Sequence, residues 1–254
     1  MNHQPRKRFG QNFLNDNVVI DRIIEFINPQ PNQTIVEVGP GLAALTQPLL
    51  ERVDALQVIE IDRDLIAKLT QRNNPKLTIH EADVLTIDWP DLAHESKLRI
   101  VGNLPYNIGT PLLLNLLEAR AHVADVHVML QKEVVDRLCA SVGSRAYGRL
   151  SVLMQSCFAV QELLVVPPTA FTPAPKVQSA VVRLTPLPVS PDENTVHKLS
   201  QATRLAFAKK RKTLRNNMKE ILSETRLVEA GLDPQARAET LNLDQFLTLA
   251  KMLP

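Results

Sequence analysis

The feature that most constrains this chain of 254 residues is a short apolar run that leads into a turn with two glycines. Residues 35–42 read IVEVGPGL. The first four residues are typical of a buried strand, and a helix is expected over about residues 43–52. Strand, glycine turn and helix form the first unit of an open parallel sheet, in which the glycines let a ligand approach the backbone. The sequence therefore predicts an α/β fold with a ligand site at this turn.

The composition of the turn indicates what kind of ligand it can take. A dinucleotide fingerprint needs a third glycine at position 44, where this chain has Ala44. Pro40 lies between the two glycines and lacks the N–H group that an anion cradle would use. We therefore expect a less charged ligand than a pyrophosphate, such as an adenosine that carries an amino-acid tail.

Acidic residues follow the next two strands at positions suited to a nucleoside. Glu60 ends a strand about 20 residues after Gly39, where an acid accepts hydrogen bonds from ribose hydroxyls. Asp62 falls on the same side of that strand, so periodicity does not separate the two. Asp83 follows a strand at residues 77–80 and is either an acceptor for an adenine amine or an ordinary turn residue.

A fourth strand, at residues 98–101, leads into the turn GNLPYN at residues 102–107. Ligands of open α/β sheets bind at this edge, and an amide beside an aromatic ring suits a planar base held by its exocyclic amine. An ordinary polar turn is the alternative. The following helix is expected to be capped by Thr110, with Pro111 at its first position.

The remainder of the chain divides into a closing sheet segment and a helical tail. We expect a strand at 126–131, a helix from Lys132, a helix at 150–158, and a hairpin of strands 163–166 and 180–184 whose proline-rich loop presents Phe171. Past a linker at 187–192, helices are expected at 197–210, 212–224, 229–231 and 243–253. The predicted domains are 1–186, which includes a basic arm at 1–14, and 193–254, a helical domain.

The net charge of +2 hides two strongly basic regions. The first ten residues hold Arg6, Lys7 and Arg8 and no acid. The second region, residues 204–219, also has no acid, and its cations are Arg204, Lys209, Lys210, Arg211, Lys212, Arg215 and Lys219. A solvated helix face is the alternative, but this density favours phosphate binding, to which Arg145 and Arg149 would add.

Several classes of protein are disfavoured by composition. The two cysteines, Cys139 and Cys157, form no CxxC pair, so neither a zinc site nor a disulfide framework is expected. No uninterrupted apolar stretch reaches the 18 or so residues of a membrane span, and no secretory signal is evident. We expect a monomeric cytoplasmic protein without a metal or a membrane partner.

Five stretches in order resemble the bacterial small-subunit ribosomal RNA adenine N6,N6-dimethyltransferases. They are RFGQNFL at 8–14, EVGPGLAALT at 37–46, VIEID at 58–62, GNLPYNI at 102–108 and FTPAPKVQS at 171–179. The resemblance covers nearly the whole chain, including the basic tail. One departure is Gly109, where the family pattern has serine.

The resemblance implies an S-adenosylmethionine-dependent methyltransferase with a Rossmann-like seven-stranded sheet, a reversed last strand and a small C-terminal α-helical domain. S-adenosylmethionine would be the methyl donor, and two adjacent adenines near the 3′ end of 16S rRNA in the small ribosomal subunit would be the target, with a contribution to subunit maturation. Matched by position, the cofactor residues are Asn12, Leu14, Gly39, Glu60, Asp83 and Asn103. The catalytic residues are Asn103, Leu104 and Tyr106, and the substrate-binding residues are Pro105, Phe171, Lys209, Lys210, Arg211, Lys212 and Arg215.

Three alternatives remain at this point. The first is a related methyltransferase that modifies an adenine of large-subunit RNA, against which the Phe171 loop and residues 8–14 argue. The second is a ribosome-assembly factor in which catalysis is secondary. The third is an amino-methyltransferase that acts on protein glutamine or on DNA, which the basic tail disfavours.

Overall fold

The computed structural model describes residues 11–93 and 96–253, so Arg6, Lys7 and Arg8 of the basic arm lie outside the described residues. The strands are β1 (Phe13–Leu14), β2 (Ile35–Val38), β3 (Leu56–Glu60), β4 (Leu77–Glu81), β5 (Leu98–Asn103), β6 (Val123–Gln131), β7 (Phe158–Val166), β8 (Phe171–Thr172) and β9 (Ser179–Pro186). The helices are α1 (Asn17–Ile27), α2 (Thr46–Leu50), α3 (Arg63–Thr70), α4 (Trp89–Ala93), α5 (Gly109–Glu118), α6 (Lys132–Leu138), α7 (Arg149–Gln155), α8 (Glu193–Ala206), α9 (Leu214–Met218), α10 (Glu224–Glu229) and α11 (Leu243–Lys251).

Seven strands form one sheet in the order β4-β3-β2-β5-β6-β9-β7. The pairs β2–β3, β3–β4, β2–β5 and β5–β6 are parallel, whereas β9 runs antiparallel to β6. This confirms the predicted α/β sheet of seven strands with a reversed strand. The chain order changes direction between β2 and β5, and ligands of open α/β sheets bind at the carboxyl ends of the strands at such a point.

Local sequence explains where the first elements begin and end. The Asp16 side chain accepts hydrogen bonds from the backbone N–H groups of Val18 and Val19, so α1 begins at Asn17. It ends at Ile27, and the next residue, Asn28, takes the left-handed conformation at φ 46°. All four residues of β2 are buried, as expected of a strand covered on both faces.

Several predicted helix boundaries were wrong, including those of the helices at 212–224 and 229–231, which the structure places at Leu214–Met218 and Glu224–Glu229. The helix expected from residue 43 begins at Thr46, because Ala43 has a φ of 71° and cannot be helical. Thr110 does not cap α5, which begins at Gly109, two residues before the predicted first position at Pro111. The helix expected to reach residue 158 ends at Gln155, since Phe158 already belongs to β7.

The chain divides into two compact units. The first extends to Val135 and includes Gln161–Pro186, whereas the second joins Asp136–Val160 to the residues from Leu187 onward. The predicted boundary at residue 186 coincides with the end of the first unit, but residues 136–160 group with the helical region. Contacts within the second unit account for this, since the Tyr147 hydroxyl donates to the Leu241 carbonyl at 3.1 Å.

Each unit has its own buried apolar residues. In the first, Leu49, Leu56, Val101 and Val181 belong to a cluster beside the sheet. In the second, the rings of Phe207 and Phe246 stack with their centroids 5.5 Å apart, and Tyr147 meets Phe207 edge-on. The described residues from Leu187 onward form helices and turns, as predicted, although α8 ends at Ala206 rather than within the lysine run.

Candidate active site

A cavity of about 330 Å³ lies at the carboxyl ends of β2, β3 and β5 in the first unit. It is lined by Asn12, Leu14, Gly39, Glu60, Asp83, Asn103, Leu104, Pro105, Tyr106 and Phe171, among others. The structure thus brings together the predicted cofactor residues and the predicted adenine-contacting residues. They come from strand ends and turns that are far apart in sequence but adjacent in the sheet.

The glycine turn after β2 forms one wall of this cavity. Gly39 and Gly41 have φ values of 66° and 58°, a conformation that side chains disfavour. A Cβ atom added to Gly41 would also lie 3.2 Å from Cδ1 of Phe13. The glycine therefore permits both the turn and the close approach of the segment that precedes α1.

The two acids at the end of β3 have different surroundings. Oε1 of Glu60 accepts from the backbone N–H groups of Ile61 and Asp62, both at 2.9 Å, and the side chain lines the cavity. Asp62 accepts through Oδ1 from the Asp64 N–H and through Oδ2 from the Gln11 amide at 3.1 Å. Asp62 therefore caps α3 and anchors Gln11. Burial raises the pKa of Glu60, and the backbone N–H groups oppose this rise.

Glu37 is a functional candidate that the sequence analysis did not single out. It is only 2% exposed, it lines the cavity, and its Oε2 has no hydrogen-bond partner among the described residues. Burial raises its pKa to about 7, and the charge of Glu60 acts in the same direction. A glutamate inside an otherwise apolar strand, directly before the glycine turn, was the signal in the sequence.

Asn103 contacts the segment that precedes α1. Its Nδ2 donates to the backbone carbonyl of Asn12 at 3.1 Å. Because a carbonyl oxygen can only accept, the amide nitrogen must face Asn12, which turns Oδ1 of Asn103 away from it. Leu104 is fixed by its own N–H, which donates to the Met129 carbonyl at 3.2 Å.

Phe171 lies in β8, which pairs antiparallel with β1 so that Leu14 is opposite Phe171. The pairing is extended by Asn15, whose side-chain amide donates to Oγ1 of Thr172 at 2.7 Å. The sequence predicted that the proline-rich loop presents Phe171, but the residue is only 4% exposed and belongs to the apolar cluster. Phe171 still lines the cavity, and its burial was not evident from the sequence because the partner strand lies more than 150 residues earlier in the chain.

Two further predicted residues have identifiable contacts. The Tyr106 hydroxyl lies 3.1 Å from Oγ of Ser179, the buried first residue of β9. Oδ1 of Asp83 accepts from the Leu85 N–H at 3.0 Å, as in an ordinary turn, while the exposed residue also lines the cavity. Turn chemistry and a ligand contact are therefore compatible at Asp83.

The predicted phosphate-binding residues lie in the second unit. Lys209, Lys210, Arg211 and Lys212 are exposed in the turn between α8 and α9 rather than on a helix face. The Asn217 amide holds this turn, with Nδ2 at 2.6 Å from the Ala206 carbonyl and at 3.3 and 3.4 Å from those of Lys209 and Lys212. Arg215 is exposed and pairs with Glu224 at 3.2 Å.

In the part of the chain that the structure describes, no group of three or more His, Cys, Asp or Glu side chains could hold a metal ion. Among the same residues, no helix has both the length and the apolar character needed to cross a bilayer.

The family model described as "Ribosomal RNA adenine dimethylase" matches residues 2–254. The chain belongs to this family. Ribosomal RNA small subunit methyltransferase A of Janthinobacterium sp. (strain Marseille) is 51% identical over 258 residues, which covers 100% of both chains. Membership of the dimethylase family thus agrees with the resemblance predicted from the five motifs.

Two solved structures resemble the dimethylase chain over nearly its whole length. A dimethyladenosine transferase from Plasmodium falciparum has a TM-score of 0.78 at 23% identity and covers 93% of this chain and 95% of its own. The 23S rRNA methyltransferase ErmE has a TM-score of 0.73 at 26% identity, with 95% and 99% covered. The fold is therefore that of rRNA methyltransferases, as predicted.

Proposed function

We propose that this protein transfers methyl groups from S-adenosylmethionine to N6 of two adjacent adenines near the 3′ end of 16S rRNA, giving N6,N6-dimethyladenosines, and that it contributes to maturation of the small subunit. Membership of the dimethylase family and the name of the small-subunit relative support this. The observation that carries it is the orientation of the Asn103 amide at the cavity.

The cavity residues fit S-adenosylmethionine. The turn at Gly39 and Gly41 provides a wall without side chains, and Glu60 offers a carboxylate to the ribose hydroxyls. We assign the ribose to Glu60 rather than Asp62, because Asp62 is engaged by Gln11 and by α3. Asp83 would accept from the cofactor's adenine amine, and Asn12, Leu14 and Asn103 would complete the site. When bound, the cofactor supplies an electrophilic methyl group on a sulfonium.

The N6 amine of adenine is a poor nucleophile because its lone pair is delocalised into the ring. We propose that Oδ1 of Asn103 and the Leu104 carbonyl accept hydrogen bonds from the two N6 hydrogens. These acceptors pull the nitrogen towards tetrahedral geometry and aim its lone pair along the line of transfer. They also stabilise the positive charge that develops on nitrogen, with little reorganisation. Holding nitrogen and methyl in line at near-attack distance contributes most of the acceleration.

An adenine inside a folded RNA must leave its stack before it can enter such a pocket. Tyr106 would stack on the extruded base and so offset part of the cost of extrusion, which is a few kcal/mol. Pro105 stiffens the turn that carries Tyr106, and Phe171 would close the pocket on the side of β1 and β8. Two transfers to one adenine require that this pocket also accepts the monomethylated amine.

The basic residues of the second unit would bind the RNA backbone. Lys209, Lys210, Arg211 and Lys212 are exposed and have no ion pair among the described residues, so they are available to phosphates. Arg215 would add to this surface, and the basic arm at residues 1–14 would also bind phosphates. RNA is read largely by shape and by unstacked bases, so a folded ribosomal particle is the expected substrate rather than a short strand.

The deciding experiment is methyl transfer to small subunits from cells that lack the modification, with the modified nucleotides mapped. We expect dimethylation of two adjacent adenines near the 3′ end of 16S rRNA. Unmodified large subunits are the control, and methylation of the large subunit instead would overturn the proposal. A variant with Asn103 replaced that still rescues subunit maturation would show that the assembly role is separable from catalysis.

A further inference from the structure

We propose that Ser179 is a positioning residue for Tyr106, and that its hydroxyl holds the Tyr106 ring where the second methyl transfer to the same adenine requires it. This inference rests on the proposed dimethyltransferase activity and assigns a role to a residue outside the predicted site.

The contact joins a turn residue to the sheet. Tyr106 lies in the irregular stretch between β5 and α5, and its hydroxyl is 3.1 Å from Oγ of Ser179. Ser179 is 1% exposed and pairs with Gln131 at the start of the β9–β6 ladder. The adjacent Gln178 carbonyl accepts from the Lys132 N–H at 2.9 Å. The sheet thus fixes the backbone of Ser179. The Ser179 hydroxyl therefore gives Tyr106 a hydrogen-bond partner that lies outside the GNLPYN turn.

The same chain segment also places the second aromatic ring of the cavity. Phe171 begins the stretch that ends at Ser179, and Pro173 and Pro175 lie between them. Prolines restrict the backbone of such a segment. One segment therefore sets Phe171 in the cavity wall through β8 and holds Tyr106 by its hydroxyl. The relative position of the two rings does not depend on the GNLPYN turn alone.

The second transfer depends more on this arrangement than the first. An unmodified adenine offers two N6 hydrogens to Asn103 and Leu104, whereas a monomethylated adenine offers one. One of the two hydrogen bonds to N6 is therefore lost after the first transfer. In the second transfer, the alignment of N6 with the methyl group depends more on the aromatic rings that contact the base. A Tyr106 ring with more rotational freedom therefore slows the second step more than the first.

The test compares Ser179→Ala, Tyr106→Phe and the double variant on unmodified small subunits. Monomethyladenosine and dimethyladenosine are quantified by mass spectrometry of nucleosides over time, and cofactor affinity is measured separately. We expect each single variant to slow the second transfer by about 2- to 10-fold, the usual effect of one hydrogen bond, and to slow the first transfer less. Monomethyladenosine should accumulate, and the double variant should be no worse than either single one.

Ser156→Ala is the matched control. Ser156 is also buried, but its hydroxyl donates to the Leu153 carbonyl at 2.7 Å within the second unit, so the product ratio should not change. An unchanged ratio in Ser179→Ala, or additive losses in the double variant, would overturn the inference. If Ser179→Ala does not fold, Tyr106→Phe removes the same contact without altering β9, and its product ratio decides. A wild-type protein that methylates no adenine rejects the proposed function itself, whereas normal dimethylation by both variants rejects only the role of Ser179.

Discussion

The side-chain amide of Asn103 donates to the backbone carbonyl of Asn12 across 91 residues of sequence, at a distance of 3.1 Å. The contact joins the carboxyl end of β5 to the segment before β1. It fixes the orientation of the amide, because only the nitrogen can be directed at a carbonyl oxygen. The orientation of the proposed catalytic acceptor is therefore set by the N-terminal segment.

We expect Asn103→Ala to lower turnover by about 100-fold or more, because the preorganised acceptor for the N6 hydrogen is lost. Cofactor affinity should fall much less, since Glu60 and Asp83 remain. Methyl incorporation and equilibrium cofactor binding should be measured separately. Asn115→Ala is a matched control, because its amide also donates to a carbonyl, that of Leu85 at 3.0 Å, but it does not line the cavity. Near-normal turnover of Asn103→Ala would reject its assigned role.

Glu37 predicts a pH dependence of stability. Burial raises its pKa from 4.5 to about 7, so the folded protein favours the neutral carboxyl. The stability that this carboxyl contributes is fully present below about pH 4.5 and is lost as the pH rises through about 7. Glu37→Gln should therefore gain stability relative to wild type on going from pH 5 to pH 8, by on the order of 3 kcal/mol.

Urea unfolding of both proteins at several pH values measures this gain. Glu51→Gln, which changes an exposed glutamate, serves as the control and should show no such trend. Parallel stability curves for wild type and Glu37→Gln between pH 5 and 8 would contradict the buried-carboxyl account.

Replacing Lys209, Lys210, Arg211 and Lys212 by glutamine should weaken RNA binding and flatten its salt dependence. Each lost phosphate contact removes about 0.7 from the slope of log K against log salt, so we expect a change of about 3 for the four. Arg52→Gln and Lys97→Gln alter exposed cations of the first unit and provide the control. An unchanged slope would exclude this turn from the RNA interface.

Gly109 stands where the family pattern has serine, and its surroundings indicate the effect of restoring that residue. A Cβ atom at Gly109 would lie 2.5 Å from Cδ2 of Leu130 in β6. We expect Gly109→Ser to lower the free energy of unfolding by about 1–2 kcal/mol, as overpacking does, and Leu130→Val to restore part of it in the double variant. Denaturant unfolding of wild type, the two single variants and the double variant measures these changes. If Gly109→Ser alone were as stable as wild type, the Leu130 side chain would adopt another rotamer with no loss of unfolding free energy.

Local sequence patterns predicted which residues meet at the site better than they predicted which segments enclose the cavity. Glu60 and Asn103 end strands and Asp83 follows one, and because parallel strands end at one sheet edge, their convergence could be inferred from the sequence. Alternation did not distinguish Glu60 from Asp62, whose contacts differ through Gln11, a residue about 50 positions away. The burial of Phe171 depends on its pairing with Leu14, which no local periodicity reports.

Helix boundaries were missed where backbone conformation overrode composition. Ala43 has the left-handed conformation that favours glycine, so nothing in its chemistry signalled that α2 would begin later. The amino-acid composition of residues 136–160 does not distinguish them from those of the first unit. They belong to the second unit because of contacts such as that of Tyr147 with Leu241.

The pairing of β1 with β8 also has a consequence for the order in which the protein can become active during its own synthesis. Gly39 directly follows β2, and Glu60 and Asn103 end β3 and β5, so these strands are complete once residue 103 has been made. The cavity, however, needs Leu14 opposite Phe171, so its wall cannot close until the chain has grown past Thr172. A nascent chain that has completed its glycine turn and its acids therefore still lacks the wall that β1 and β8 form.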